Sequence, residues 1–134
     1  MFAERASWDI VRPSVGFIDG FSCKSKSNNN PGRAQHKHCI LGKTDAETAV
    51  TWGYMQEYIH IHKPRFCVAE NVEQLREDGG EDSDLAQVLA WFSKEGYFAK
   101  DFTICAENYG SLAVRKRLFV VALLTTENPI QVRR

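Results

Sequence analysis

Two short, mostly apolar runs, Ser14–Phe21 and Arg65–Glu70, stand on either side of a stretch with helical spacing. Pro13 and Gly20 bound the first run and Lys63-Pro64 precedes the second, so each reads as a short buried strand. Between them, Val50, Tyr54, Tyr58 and Ile61 recur at the helical period. The spacing predicts an amphipathic helix over Asp45–His62, with Thr44 or Asp45 as its cap and Glu47 in the first turn where the dipole favours it. His60 and His62 fall at its C-terminal end, where cations are favoured. Strand, helix, strand in that order is the unit of a parallel crossover.

The pattern continues. Asn71–Glu77 reads as a short helical turn before the Asp78-Gly79-Gly80-Glu81 break. Ser83 is placed to cap a second helix whose inner face is Leu85, Val88, Leu89, Trp91 and Phe92, and Gly96 stops it. Tyr97–Cys105 alternates as a strand, Glu107–Val114 reads as a loop, and Arg117–Leu124 is a continuous apolar strand. Tyr54 and Tyr58 are expected in the core with Trp91 and Phe92, and residues 125–134 read as a polar tail. The expected class is α/β, a sheet with flanking helices whose connections are parallel crossovers. In such sheets sites gather at the carboxyl ends of strands. Cys23 and Glu70 both fall at such ends.

At 134 residues the chain has room for one core. Lys+Arg and Asp+Glu are both 17, so bulk charge does not select a partner, but its distribution is uneven. From Lys24 to Lys43 the charged residues are Lys24, Lys26, Arg33, Lys37 and Lys43, joined by His36 and His38 and by no acidic residue. A basic loop of this kind suits a phosphate-bearing partner. From Glu70 to Asp84 seven carboxylates face only Arg76, and the part from Glu77 on reads as a solvated acidic loop. Four cysteines at wide, irregular spacing form no disulfide framework and fit a reducing compartment. No apolar run approaches the roughly 18 residues of a membrane span, and nothing after Met1 reads as a secretory signal.

Cys23 ends an apolar run at Gly20-Phe21-Ser22-Cys23, beside Lys24 and Lys26. Nearby cations lower a thiol's pKa from roughly 8.5 and raise its thiolate fraction, which makes Cys23 a candidate nucleophile. Other readings of the same residues are a half-buried structural thiol, a zinc site of Cys23, His36, His38 and Cys39, and a thiol hydrolase pairing Cys23 with His36 or His38. The zinc reading lacks the Cys-x-x-Cys pairing of structural sites, and no metal is expected.

Three motifs in order carry a resemblance. Gly20-Phe21-Ser22-Cys23 with Ser27, then Lys63-Pro64-Arg65 leading to Glu70-Asn71-Val72, then Tyr109-Gly110 leading to Arg115-Lys116-Arg117-Leu118-Phe119, resemble the cytosine-5 DNA methyltransferase family. The resemblance covers roughly residues 14–125. Ser22 stands where that family usually has proline, Lys24 where it has glutamine, and Ala113 where the glutamine of the arginine motif belongs.

The resemblance implies a Rossmann-like S-adenosylmethionine-dependent methyltransferase sheet and a function. Cys23 would attack carbon 6 of a cytosine flipped out of double-stranded DNA, and Glu70, followed by Asn71, would engage ring nitrogen 3. Arg115 would hold the base and Arg117 would support the site from its strand. S-adenosylmethionine would donate the methyl group, approached by Phe21, Thr51 and Trp52. The family's first Gly-rich strand and its target-recognition region have no counterpart. The resemblance therefore implies a single, partial catalytic domain over 1–134, with residues of catalysis but an incomplete donor pocket. It also implies an intracellular protein, in the nucleus or cytoplasm according to its host. A non-catalytic DNA-binding remnant of the same fold and an RNA cytosine-5 methyltransferase share these residues.

Overall fold

The computed structural model describes residues 13–21, 46–76 and 83–125, with the side chains of 46–49 left aside. In chain order the elements are β1 (Gly16–Gly20), α1 (Ala46–His62), β2 (Phe66–Asn71), α2 (Asp84–Lys94), β3 (Tyr97–Cys105) and β4 (Lys116–Leu124). Short 3-10 turns cover Glu73–Arg76 and Ala106–Tyr109. The sheet order is β1-β2-β4-β3. β1 and β2 are parallel, as the intervening helix requires, whereas β4 runs antiparallel to both of its neighbours. The expectation of parallel connections therefore fails at the last strand. Residues 106–115 are too few for a parallel crossover, which needs a dozen or more, so β4 returns directly beside β3.

Strand alternation sorts the residues into two faces. Cys67 and Ala69 of β2, Leu118, Val120 and Ala122 of β4, and Tyr97 of β3 face the helices and form the core with Trp52, Met55, Ile59, Leu85, Val88 and Phe92. Trp52 is the hub of the aromatic packing. Its ring lies 4.9 Å from Phe21, 5.4 Å from Trp91 and 6.3 Å from Phe92, the last two edge-on. Edge-to-face pairs of this kind contribute about 0.5–1.5 kcal/mol beyond their buried area.

The inner face of α1 corrects the expected one. Val50, Tyr54 and Ile61 are exposed, and Tyr54 is not a core residue. The buried stripe is Trp52, Met55, Tyr58 and Ile59, set a fraction of a turn away along the same helix. Several apolar side chains at helical spacing do not by themselves say which subset meets the sheet.

α2 follows expectation more closely. The Ser83 hydroxyl accepts the Ala86 amide at 3.1 Å, and Gly96 follows the helix at φ 88°, a left-handed conformation that only glycine adopts at low cost. Asp84, expected on a solvated acidic loop, is buried in the first turn of α2, where the dipole favours a carboxylate; Glu77 to Asp82 lie outside the described residues.

β1 also departs from the buried strand predicted for Ser14–Phe21. Val15 and Ile18 are exposed, because β1 is an edge strand and, among the described residues, both helices pack on the other face of the sheet. The basic loop from Lys24 to Lys43, the Thr44 or Asp45 cap and the tail beyond Thr125 lie outside the described residues.

Candidate functional site

The carboxyl ends of the parallel strands β1 and β2 meet the amino end of β4, and the predicted residues converge there. Glu70 is paired in register with Gly20 on one side and with Phe119 on the other. Because Cys67, Ala69 and Asn71 point into the core, Glu70 points to the opposite face, together with Arg117 and Phe119 of β4. There Glu70 Oε1 accepts Arg117 Nε at 2.7 Å. The carboxylate and guanidinium are each partly exposed, so the pair is open to a ligand rather than sealed in the core. Arg117 Nη1 also donates to the Lys116 carbonyl at 3.0 Å, which fixes the guanidinium plane. Lys116 Nζ lies 4.0 Å from Glu73 Oε2.

Asn71 faces inward and is buried. Its Nδ2 donates to the Phe21 carbonyl at 3.0 Å and its Oδ1 accepts the Val72 amide at 2.7 Å. With both ends of its amide engaged by backbone, Asn71 clamps the end of β2 to the end of β1. Such a clamp suits an amide, which offers a donor and an acceptor at once.

Arg115 is exposed just before β4, and its carbonyl accepts the Ala106 amide at 3.0 Å, closing the β3–β4 connection. Arg117, not Arg115, is the arginine in contact with Glu70. Cys23 lies outside the described residues, with Ser22 and the basic stretch 24–43. Phe21, the last described residue before it, is held by Asn71.

Phe21 and Trp52 are 5% and 3% exposed and pack on each other. Their shape and apolar character suit the core they occupy. Thr51, next to Trp52 on α1, is exposed. The described residues do not bring together three metal-ligating side chains; the drawn zinc set lies outside them.

Two described cysteines are free thiols. Cys67 is fully buried, and burial pushes its thiol up to about 12 despite a hydrogen bond with Tyr97. Burial likewise raises the Tyr97 phenol, whose hydroxyl donates to the Pro64 carbonyl at 2.8 Å. A thiol held neutral in this way is not a nucleophile near neutral pH.

The family model described as C-5 cytosine-specific DNA methylase matches residues 17–133. No curated protein matches significantly. Among solved structures, the methyltransferase EhMeth of Entamoeba histolytica superposes with a TM-score of 0.58 at 22% identity, covering 87% of this chain and 34% of that one. The S. pombe Dnmt2 methyltransferase superposes with a TM-score of 0.54 at 15% identity, covering 84% of this chain and 31% of its own. These likenesses show the fold, and this chain spans about a third of the length of either structure.

Proposed function

Since the chain belongs to the C-5 cytosine-specific DNA methylase family, we propose that the full product of its gene methylates carbon 5 of cytosine in double-stranded DNA, with Glu70 and Arg117 gripping the base. The observation that carries this reading is the 2.7 Å contact between Glu70 and Arg117 at the strand ends, on the same rim as Phe21, the residue that leads to Cys23.

Carbon 5 of cytosine is a weak nucleophile, and a covalent detour makes it a stronger one. The Cys23 thiolate bonds to carbon 6. The carbon 5–carbon 6 π pair shifts toward carbon 4, the carbon 4–nitrogen 3 π pair passes to nitrogen 3, and nitrogen 3 takes a proton through the Glu70 carboxyl. Carbon 5 is then enamine-like. After methylation, the carbon 5 proton is lost to a base, the thiolate departs and nitrogen 3 returns its proton to the Glu70 carboxylate, restoring the ring. Glu70 must stand within hydrogen-bond reach of nitrogen 3. Arg117 holds the Glu70 side chain from the β4 side, and its remaining donors suit the ring's carbonyl oxygen.

The edge of a paired base is out of reach, so the cytosine must leave the stack. The basic stretch Lys24–Lys43 supplies cations for the flanking phosphates. S-adenosylmethionine would supply the electrophilic methyl group. The proposed substrate also implies an intracellular location.

Release of tritium from DNA carrying [5-³H]cytosine tests the reading with the full gene product. Release that Cys23→Ser abolishes is expected. Undiminished release from Cys23→Ser would refute the nucleophile assignment.

A further inference from the structure

We propose that Gly20 is a positioning residue for Glu70, its absent side chain reserving the space in which one carboxylate oxygen stays on Arg117 while the other meets the base. The inference rests on the functional reading above and deepens it.

Gly20 and Glu70 are direct partners across the β1–β2 ladder. A Cβ built on Gly20 would stand 3.2 Å from Glu70 Oε2 and 3.6 Å from the Glu70 carbonyl oxygen. The first distance is tighter than ordinary van der Waals contact, so the carboxylate would have to yield by a few tenths of an ångström. The oxygen that would be pushed is the one Arg117 does not hold, since Arg117 Nε is on Oε1. On its other side Glu70 is paired in register with Phe119, on the strand that carries Arg117. Rotation away from Gly20 therefore disturbs the contact with Arg117.

Backbone conformation does not explain the glycine. Among the described residues only Gly96 and Gly110 are glycines at positive φ, so the Gly20 backbone is one that alanine adopts without strain. Nor can β1 easily retreat. Its ladder with β2 is tied at one end by Arg65 N donating to the Val15 carbonyl at 2.8 Å and just past the other by Asn71 Nδ2 donating to the Phe21 carbonyl at 3.0 Å. Gly20 is exposed and outside the core, so Gly20→Ala leaves the fold intact. What the added methyl group changes is the position of one carboxylate oxygen. Groups that do chemistry must be held to within about 0.5 Å, and misplacement by about 1 Å can cost roughly a hundredfold.

The test is a cycle of Gly20→Ala and Glu70→Asp in the full gene product, read by single-turnover tritium release and by the Arg117 Nε–Hε resonance. Asp is one methylene shorter and withdraws the carboxylate from Gly20. Gly20→Ala alone is expected to slow release about tenfold, with DNA affinity changed less than twofold. In the Glu70→Asp background the same change is expected to cost less than twofold, the non-additivity of residues that act through each other. The Arg117 resonance should shift in Gly20→Ala while the core amides of β4 stay in place. Equal losses in both backgrounds, a loss confined to DNA affinity, or an unmoved Arg117 resonance would each overturn the proposal. Absence of release from the unsubstituted protein would instead sink the functional reading, and the Arg117 resonance would still decide whether Gly20 positions Glu70.

Discussion

Asn71 Nδ2 donates to the Phe21 carbonyl at 3.0 Å across 50 residues of sequence, in a buried setting. That bond joins the strand end that carries Glu70 to the segment that leads into Cys23. The ends of two strands distant in sequence thereby share one rim of the sheet, with Glu70 on it.

Loss of that clamp has a structural and a chemical consequence. Asn71→Ala leaves the Phe21 carbonyl without its donor and the Val72 amide without its acceptor. A buried group deprived of its partner costs about 1–3 kcal/mol. Urea denaturation should show a loss in that range, with tritium release reduced by more than the unfolded fraction explains.

Arg117 and Glu70 should behave as a unit. Glu70→Gln is expected to slow methyl transfer by roughly 10²–10⁴, the range for a removed acid–base group. Arg117→Ala should slow it too, and the double substitution should cost clearly less than the product of the two. Arg115→Ala, at an exposed position before β4, should act mainly on DNA affinity. Single-turnover rates and DNA titrations with the four proteins check this.

Cys67 should be inert in the folded protein. Its thiol, pushed up to about 12 by burial, stays neutral through pH 8. Iodoacetamide at pH 8 followed by peptide mass mapping should label the half-buried Cys105 before Cys67. Cys67 should label only after denaturant unfolds the chain.

Glu95 links the ends of the two helices. Its carboxylate accepts Lys63 Nζ at 2.6 Å and lies 2.8 Å from His60 Nδ1. The Lys63 hydrogen bond, then that of His60, holds Glu95 below its ordinary value of 4.5. A carboxylate whose value is lowered by folding contributes stability above the unfolded value, and that contribution disappears as pH falls through the folded one. Lys63 and His60 are well exposed, so solvent screening keeps the contribution below about 1 kcal/mol. Glu95→Gln should therefore lower the melting temperature slightly at pH 6. The difference should fade as pH falls below the ordinary carboxylate range and shrink in high salt.

Much of this architecture is legible in the residues. β3 is found with its predicted bounds because strict alternation follows directly on a helix-stopping glycine. Ser83 announces α2 by its chemistry, and the Glu70-Asn71 pair announces the strand end. The inner stripe of α1 is less legible, because Val50, Tyr54 and Ile61 are as apolar as Trp52, Met55 and Ile59 and only the neighbouring sheet chooses between them. The reversal of β4 could have been read from its short connection. The exposure of Ile18 could not, since an apolar strand reads alike at the edge and the centre of a sheet. At the site, the motifs name Glu70 and Arg117, but their contact depends on β4 lying beside β2, and the role of Gly20 on a distance that no spacing encodes.

Trapping the base tests the central claim most directly. DNA containing 5-fluorocytosine, incubated with the full gene product and S-adenosylmethionine, cannot lose the group at carbon 5, so the thiol cannot leave. A covalent protein–DNA species stable to denaturation is expected, with its bond at Cys23 by mass mapping and its formation slowed by Glu70→Gln. No adduct, or an adduct formed as fast by Cys23→Ser or Glu70→Gln, would contradict the account.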